Sequence, residues 1–432
     1  MKSRKDYSVF PLLQSRGQFF CPAKWTELYL YLNHGTSNSC HHPIPHAIPE
    51  HLLEDPYVLH NTPHKMQVQQ QMIDGQRPQE CHMCWHIEDL DPEVVSDRVI
   101  KSQMWHDDIS TLQVDAHHVP KFIEVVFDNY CNLSCSYCDS GQSSSWAEKI
   151  HRQPLQLETD YRNLYNTVHI APGSTKNNYV TAWNKWWAEI GSQVERLKIS
   201  GGEPLLSKNV WQFFETLRPD LNVLIINSNF SVASKIIDRF IQVTKPFNNV
   251  AVAASIDAVG DIAEYVRQGL DYNQFLSNVD HWCGSNKAQN VLHLQSTVNA
   301  LNIWGLTDKF DLSIELGRRY PGRINPFYST LVRFPEFQSV TVLPIDLRHS
   351  LADHITAWFG KNNQWLSERE QSYVEKIIVY LNQDPEQLVK LDVTKLQIDF
   401  KKFIMYYDTS AKKSYKEIYP TEFVQWVDSI NI

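Results

Sequence analysis

The sequence predicts an α/β chain: a partial (β/α)6, TIM-like barrel with a cysteine-rich domain before it and a helical extension after it. The barrel rests on six short β-rich apolar runs: FIEVVF (122–127), VERLKIS (194–200), NVLIINS (222–228), VAVAAS (250–255), VLHLQSTV (291–298) and SVTVLP (339–344). Between them lie stretches with helical spacing, among them NVWQFFETL, SKIIDRFIQV, YNQFLSNVDHW and FDLSIELGRRY. Strand and helix in alternation imply parallel βα units, with the loops after the strands gathered at one face. An open doubly wound sheet has the same periodicity, so the pattern alone leaves both arrangements standing.

The flanking regions differ in character. Residues 15–100 are rich in loops, with His and Pro crowded into CHHPIPHAIPEHLLEDPYVLHNTPH. A segment of this kind buries little core unaided and is commonly stapled by metal. The stretch 141–193 is a long insertion after the first barrel strand, and its WNKWWAEIG reads as an amphipathic helix. Beyond 346 the chain is helical, clearest in SEREQSYVEKIIVYLNQ, where Tyr373, Ile377, Ile378 and Leu381 follow helical spacing. The expected domains are 1–118, 119–345 and 346–432.

Composition narrows the class. With 432 residues, 42% apolar and 21% charged, the chain is an ordinary globular sequence. It lacks the ~18 consecutive apolar residues of a membrane span. Its basic N-terminus carries only a short apolar run, Val9 to Leu13, broken by Pro11. The expected location is the cytoplasm, with no membrane partner. A net charge of −9 argues against nucleic acid as the main partner. Thirteen Trp fit aromatic core packing or deep aromatic pockets. Eight Cys without an export signal point to metal or redox chemistry rather than disulfides. They fall as four (Cys21, Cys40, Cys81, Cys84), three (Cys131, Cys135, Cys138) and one (Cys283).

The group of three, CNLSCSYC, directly follows FIEVVF. So short a loop can wrap one cuboidal cluster and reach three of its irons. The fourth Cys of ferredoxin-type runs is missing, since DSGQSSSW offers no thiol. Structural zinc would ask for a fourth nearby Cys or His. An open-iron [4Fe–4S] cluster explains both the spacing and the deficit. The second strand then ends in Ser200-Gly201-Gly202-Glu203-Pro204, where glycines permit close backbone approach and Glu can accept from an ammonium group.

Together, Cys131-x3-Cys135-x2-Cys138 with Tyr137 before the last Cys, and GGEP after the second strand, resemble the radical S-adenosylmethionine (SAM) superfamily. The resemblance implies SAM on the open iron, reductive cleavage to a 5′-deoxyadenosyl radical, and hydrogen abstraction from a substrate. It implies that Gly201, Gly202, Glu203 and Pro204 hold the SAM amino group. Asn227 and Ser228 would face SAM, Ser255 the ribose, Arg267 the carboxylate and Asn299 the nucleoside, with Asp257 a further cofactor-binding candidate. As ordinary loop ends, the same polar residues would be turn caps.

Cys21 and Cys40 flank WTELYLYLNHGTSNS, which reads as a β-hairpin, and Cys81-x2-Cys84 follows. On chemistry alone, four thiols of this kind suit tetrahedral zinc, with His41, His42 and His82 nearby. The pattern Cys21-x13-Gly35-x4-Cys40, then Cys-x2-Cys, resembles the auxiliary-cluster (twitch or SPASM) module of radical SAM enzymes. NTPHKMQVQQQMIDGQRPQECHMCW and the tail KEIYPTEFVQWV add to the likeness. The usual module follows the barrel, whereas here it precedes it, as in a subgroup with an N-terminal twitch. Four thiols would close an auxiliary [4Fe–4S] cluster, suited to electron transfer or to stapling the loops.

Cys283 reads as a buried structural thiol. The expected activity is hydrogen abstraction from a peptide or protein side chain, with an electron donor such as flavodoxin or ferredoxin as partner. The alternatives are radical modification of a small molecule (a nucleotide or aminosugar) and a non-catalytic metal-binding or peptide-recognition protein.

Overall fold

The computed structural model describes residues 4–90, 93–159, 177–285, 290–383, 392–411 and 413–432. Much of the expected insertion after the first barrel strand, residues 160–176, lies outside them. The chain is mixed α/β, with parallel strands dominant, and forms two compact units.

The first unit comprises residues 1–128, 173–200 and 208–224. Its strands are β1 (Glu27–Tyr31), β2 (Thr36–Asn38), β3 (His46–Ala47), β4 (Phe122–Val126) and, after the short strand β5 of the other unit, β6 (Arg196–Ser200). They lie in the order β6-β4-β1-β2-β3. The expected hairpin forms, with Tyr31 opposite Thr36 in an antiparallel β1–β2 pair. Gly35 closes its turn at φ +64°, in the left-handed region that favours glycine. Strands β1, β4 and β6 run parallel, with Glu27 beside Phe122 and Phe122 beside Arg196. The Trp-rich motif is the helix Asn178–Ile190, capped by Asn177 Oδ1, which accepts from the Tyr179 and Val180 amides. Trp183, Trp186, Trp187 and Ile190 share its buried face, and Trp183 packs on Phe127 and Phe213. These tryptophans serve core packing.

The second unit holds residues 129–172, 201–207 and 225–432. β7 (Val223–Ser228), β8 (Val250–Ser255), β10 (Val291–Val298) and β11 (Ile324–Leu331) follow the order β11-β10-β8-β7. β8, β10 and β11 are parallel. A separate pair joins β5 (Ser134–Cys135) antiparallel to β9 (Arg267–Gln268). The helices Ser234–Thr244, Tyr272–Ser285 and Leu306–Arg319 fall where their spacing placed them. Cys283 is buried in the second of these.

One expected strand is corrected. SVTVLP contains a 3-10 turn, Val340–Val342, started by the Ser339 side chain, which accepts from the Thr341 amide. Val340, Thr341 and Val342 are all buried, and a short buried apolar run reads the same in a turn as in a strand covered on both faces. The strand lies earlier, at β11, where INPFYSTL carries Asn and Pro that mask its period.

The C-terminal helices belong to the same unit. The helix Glu368–Asn382 opens with a reciprocal capping box between Ser367 and Glu370 and buries Val374, Ile377 and Leu381. In the helix Val393–Ala411, the Tyr407 hydroxyl reaches Ser134 O (2.7 Å) and Val266 O (3.1 Å), so the tail braces the β5–β9 pair. Among the described residues no helix is long and apolar enough to cross a membrane. We expect Tyr407→Phe to cost about 1–3 kcal/mol through these buried carbonyls, read as a thermal midpoint lower by a few degrees.

Candidate functional site

In the second unit the loop from Asn129 to Cys138 is fixed at nearly every turn. β5 sets Cys135 opposite Arg267, Ser136 N donates to Val266 O (2.7 Å), and Cys138 N donates to Cys135 O (3.0 Å). The SSSW run after the loop, empty of thiols, supplies its braces. The Ser144 hydroxyl accepts from Cys131 N (3.0 Å), and the Ser145 hydroxyl donates to Cys131 O (2.7 Å). The Ser143 hydroxyl donates to Leu133 O (2.7 Å), and Trp146 Nε1 donates to Cys135 O (2.8 Å). Asn132 joins the end of β7 through Asn229 Nδ2 (2.8 Å) and Ser231 O (2.9 Å). None of these partners has a local signature by which it could be read from the residues alone.

The three thiols come together. Burial first, then the charge of Cys135, pushes Cys131 up to about 12. Burial, Asp139 and the other two thiols push Cys138 well up, and burial raises Cys135. Thiols that hinder one another's ionisation in a buried loop become thiolates only against a strongly cationic group.

The GGEP turn touches this loop directly. Gly201 sits at φ +127°. A Cβ on Gly202 would lie 2.4 Å from Tyr130 O and 2.6 Å from Asn129 O, so only glycine fits there. Glu203 N donates to Tyr130 O (2.7 Å). The Glu203 side chain, 1% exposed, accepts from Leu205 N (3.0 Å), the Ser228 hydroxyl (2.8 Å) and Asn229 N (2.6 Å). A carboxylate has about four acceptor positions, so roughly one remains. Burial raises Glu203 to about 7 despite these donors.

The other expected contacts divide. Asn227 Oδ1 is buried without a partner, as is Arg267 Nε. Ser255 is half-buried at the end of β8. Asp257 is fully buried and accepts from Arg267 Nη1 (2.9 Å), the Tyr137 hydroxyl (2.7 Å) and Thr297 N (2.8 Å). Asn299 is engaged by its own turn: Oδ1 accepts from Leu301 N and Asn302 N, and Nδ2 donates to Thr297 O. The turn-cap reading describes Asn299 fully. Pro204 starts a 3-10 turn whose leading cap is Glu203.

In the first unit the four remaining thiols also converge. Burial and the charges of Cys81, Cys84 and Cys40 push Cys21 far up. Cys81 is raised to about 12 and Cys84 to about 11, burial being the main cause in both, and burial raises Cys40. Cys81 ends a 3-10 turn and Cys84 lies in the following helix His82–Leu90. Cys21, Cys81 and Cys84 pack against a core that includes Phe20, Trp25, Met72 and Trp85.

Two buried cations tie these segments together. Lys24, three residues after Cys21, pairs with Glu80 beside Cys81. Arg98 donates to Phe20 O (2.9 Å), grips Glu88 with Nε (3.0 Å) and Nη2 (2.7 Å), and lies over the Trp85 ring. Nearby, Lys101 binds Glu27 (2.7 Å), which also accepts from Trp105 Nε1 (3.1 Å). Cations among clustered sulfurs suit a donor set that becomes anionic on binding metal.

No protein-family model matches the chain, and no curated protein does. Among solved structures the chain is similar to Streptococcus suis SuiB bound to S-adenosylmethionine, at 14% identity and a TM-score of 0.36 over 78% of this chain and 70% of that one. It is likewise similar to SuiB bound to precursor peptide SuiA, at 13% identity and a TM-score of 0.37 over 79% and 70%. Likeness at this level fixes neither fold nor activity.

Two outcomes test this geometry. An unfolded Glu loses its proton near its ordinary pKa, whereas folded Glu203 keeps one until about pH 7. Stability therefore falls as pH rises through that window, by about 3 kcal/mol, and is flat above it. Relative to wild type, Glu203→Gln gains thermal stability from about pH 5 to about pH 8. Separately, Arg98→Met removes both guanidinium bonds to the buried Glu88 carboxylate, with an expected loss of about 3–5 kcal/mol in chemical denaturation.

Proposed function

We propose that the chain is a radical SAM enzyme, with an open [4Fe–4S] cluster on Cys131, Cys135 and Cys138. The observation that carries this reading is the junction of a three-thiol loop with the Gly202–Glu203 turn, where Glu203 keeps an acceptor position in a buried setting. When bound, the reduced cluster and SAM supply a 5′-deoxyadenosyl radical, which takes a hydrogen atom from the substrate. The chain's own residues hold and orient. Gly201 and Gly202 let the backbone close on the ligand, and an ammonium at Glu203 would favour the carboxylate against its burial. Asn227 Oδ1 and Arg267 Nε are buried polar atoms that a polar ligand could satisfy. Asp257 and Tyr137 fix the Arg267 guanidinium, and Cys135 is buried while Cys131 and Cys138 are only partly so.

The four thiols of the first unit are assigned to a closed auxiliary [4Fe–4S] cluster that exchanges electrons. Four ligands leave no iron open, and Lys24 and Arg98 give the set the cationic surroundings that such a centre needs. In this reading residues 1–118 form an N-terminal twitch-like domain, 119–345 a partial (β/α)6 barrel and 346–432 a helical extension. The substrate class is a peptide or protein side chain, supported by the resemblance to auxiliary-cluster enzymes, and a one-electron carrier of the flavodoxin or ferredoxin kind supplies the reductant.

Anaerobic protein reduced with dithionite in the presence of SAM is expected to release 5′-deoxyadenosine, and Cys131→Ala, Cys135→Ala and Cys138→Ala each to reduce it to background. Iron analysis should find about eight irons per chain, falling to about four when these three cysteines are replaced together. Reconstituted protein that leaves SAM intact overturns the enzyme reading; about four irons with one zinc overturns the auxiliary-cluster assignment.

A further inference from the structure

Cys40 is followed at once by two histidines, and the fold gives this pair a purpose apart from the thiols. Asn38, at the end of β2, donates from Nδ2 to Pro43 O (3.1 Å) and closes the loop over residues 38–43. Both imidazoles then meet Asp97, the first residue of the helix Asp97–Ser102. His42 Nε2 lies 2.8 Å and His41 Nε2 3.3 Å from the same oxygen, Asp97 Oδ2. The ring centroids are 4.2 Å apart, and the three potential ligand atoms all fall within 4.8 Å of one another.

The chain on the other side of this meeting point is held firmly. Ser96 donates its hydroxyl to Glu88 Oε1 (2.5 Å), and Arg98 grips both oxygens of that carboxylate. Asp97, between them, is presented from a braced backbone. A carboxylate whose neighbours are locked is how metal ligands are commonly kept in register. The side chains of His41, His42 and Asp97 are 54%, 21% and 40% exposed, which leaves room for water ligands. His42 also lines a depression of about 600 Å³ shared with His64, Glu80 and His82, which gives a cation a polar approach.

Two imidazole nitrogens aimed at one carboxylate oxygen bring three potential metal donors to one point. Two nitrogens and one oxygen favour divalent first-row transition ions over calcium or magnesium, which prefer oxygen alone, and over copper(I), which prefers sulfur.

We propose that His41, His42 and Asp97 form a mononuclear site of open coordination for a divalent first-row transition cation, with none of the four thiols among its ligands. Its occupant ties the loop that carries Cys40 to the helix Asp97–Ser102, a staple where the chain is rich in loops. The proposal stands whether or not the chain cleaves SAM.

Cobalt(II) titration of the full-length, cluster-loaded protein tests it. The expected result is one cobalt per chain beyond the cluster metal, with weak visible bands of nitrogen and oxygen ligation and no intense sulfur-to-cobalt charge transfer. Zinc(II) should displace it. Asp97→Asn, which keeps the side chain's shape, and His41→Ala with His42→Ala should each weaken cobalt binding at least about tenfold. Iron and sulfide content should match wild type in Asp97→Asn. Three results overturn the proposal: no saturable cobalt binding, equal binding by wild type and Asp97→Asn, or charge-transfer bands showing that thiols take the cobalt.

Discussion

Sulfur ligands placed close together inside a protein resist one another's ionisation, and the architecture of both units answers that constraint. In each thiol group burial is the first cause that raises the pKa, and neighbouring sulfurs add to the rise in most of them. Raised in this way, the thiols pack as neutral apolar groups, and only a cationic group placed among them would favour the thiolates. The hydrogen bonds around them serve the arrangement: seryl hydroxyls and an indole on the Cys131–Cys135 carbonyls, and a guanidinium on Phe20 O beside Cys21. Those bonds fix the backbone that carries the thiols.

The two groups solve the charge problem differently. Around the four thiols, Lys24 and Arg98 are present but already joined to Glu80 and Glu88, so each cation is oriented as well as neutralised. Around the three thiols, Arg267 is joined to Asp257 and lies opposite Cys135 across a two-stranded pair. A buried ion pair adds little net stability but is costly to break. Such pairs therefore hold the local geometry beside each thiol group.

Much of this was legible in the sequence, and the reasons for the rest are physical. Five of six expected strands stand where alternation and apolar runs put them, because their one-face or two-face burial writes a period into the residues. The sixth did not. Val340 to Val342 are apolar because they are buried in a turn, while β11 hides its strand under Asn325 and Pro326. The cysteine groups could be picked out because Cys is rare and its spacing is written in the residues themselves. Ser143, Ser144, Ser145, Trp146 and Tyr407 were not, since a hydroxyl that braces a carbonyl can come from any segment that passes by. Asn299 shows the converse: a polar residue at a strand end carries the same letter whether it faces a ligand or caps its own turn.

Glu203 brings these threads to one atom pair. Its carboxylate closes the GGEP turn onto β7 through Ser228 and Asn229, so the turn cannot move without breaking bonds to a buried acid. Yet burial holds that acid near neutrality at physiological pH, where a small change in surroundings decides whether it is charged. An ammonium group arriving at the remaining acceptor position would favour the carboxylate, and the carboxylate in turn would tighten all three existing bonds, because charged acceptors bind donors more strongly. Under the proposed function, ligand binding and order in the turn would be coupled: the energy that ionises Glu203 would be returned as order in the segment that touches Tyr130, one residue before Cys131.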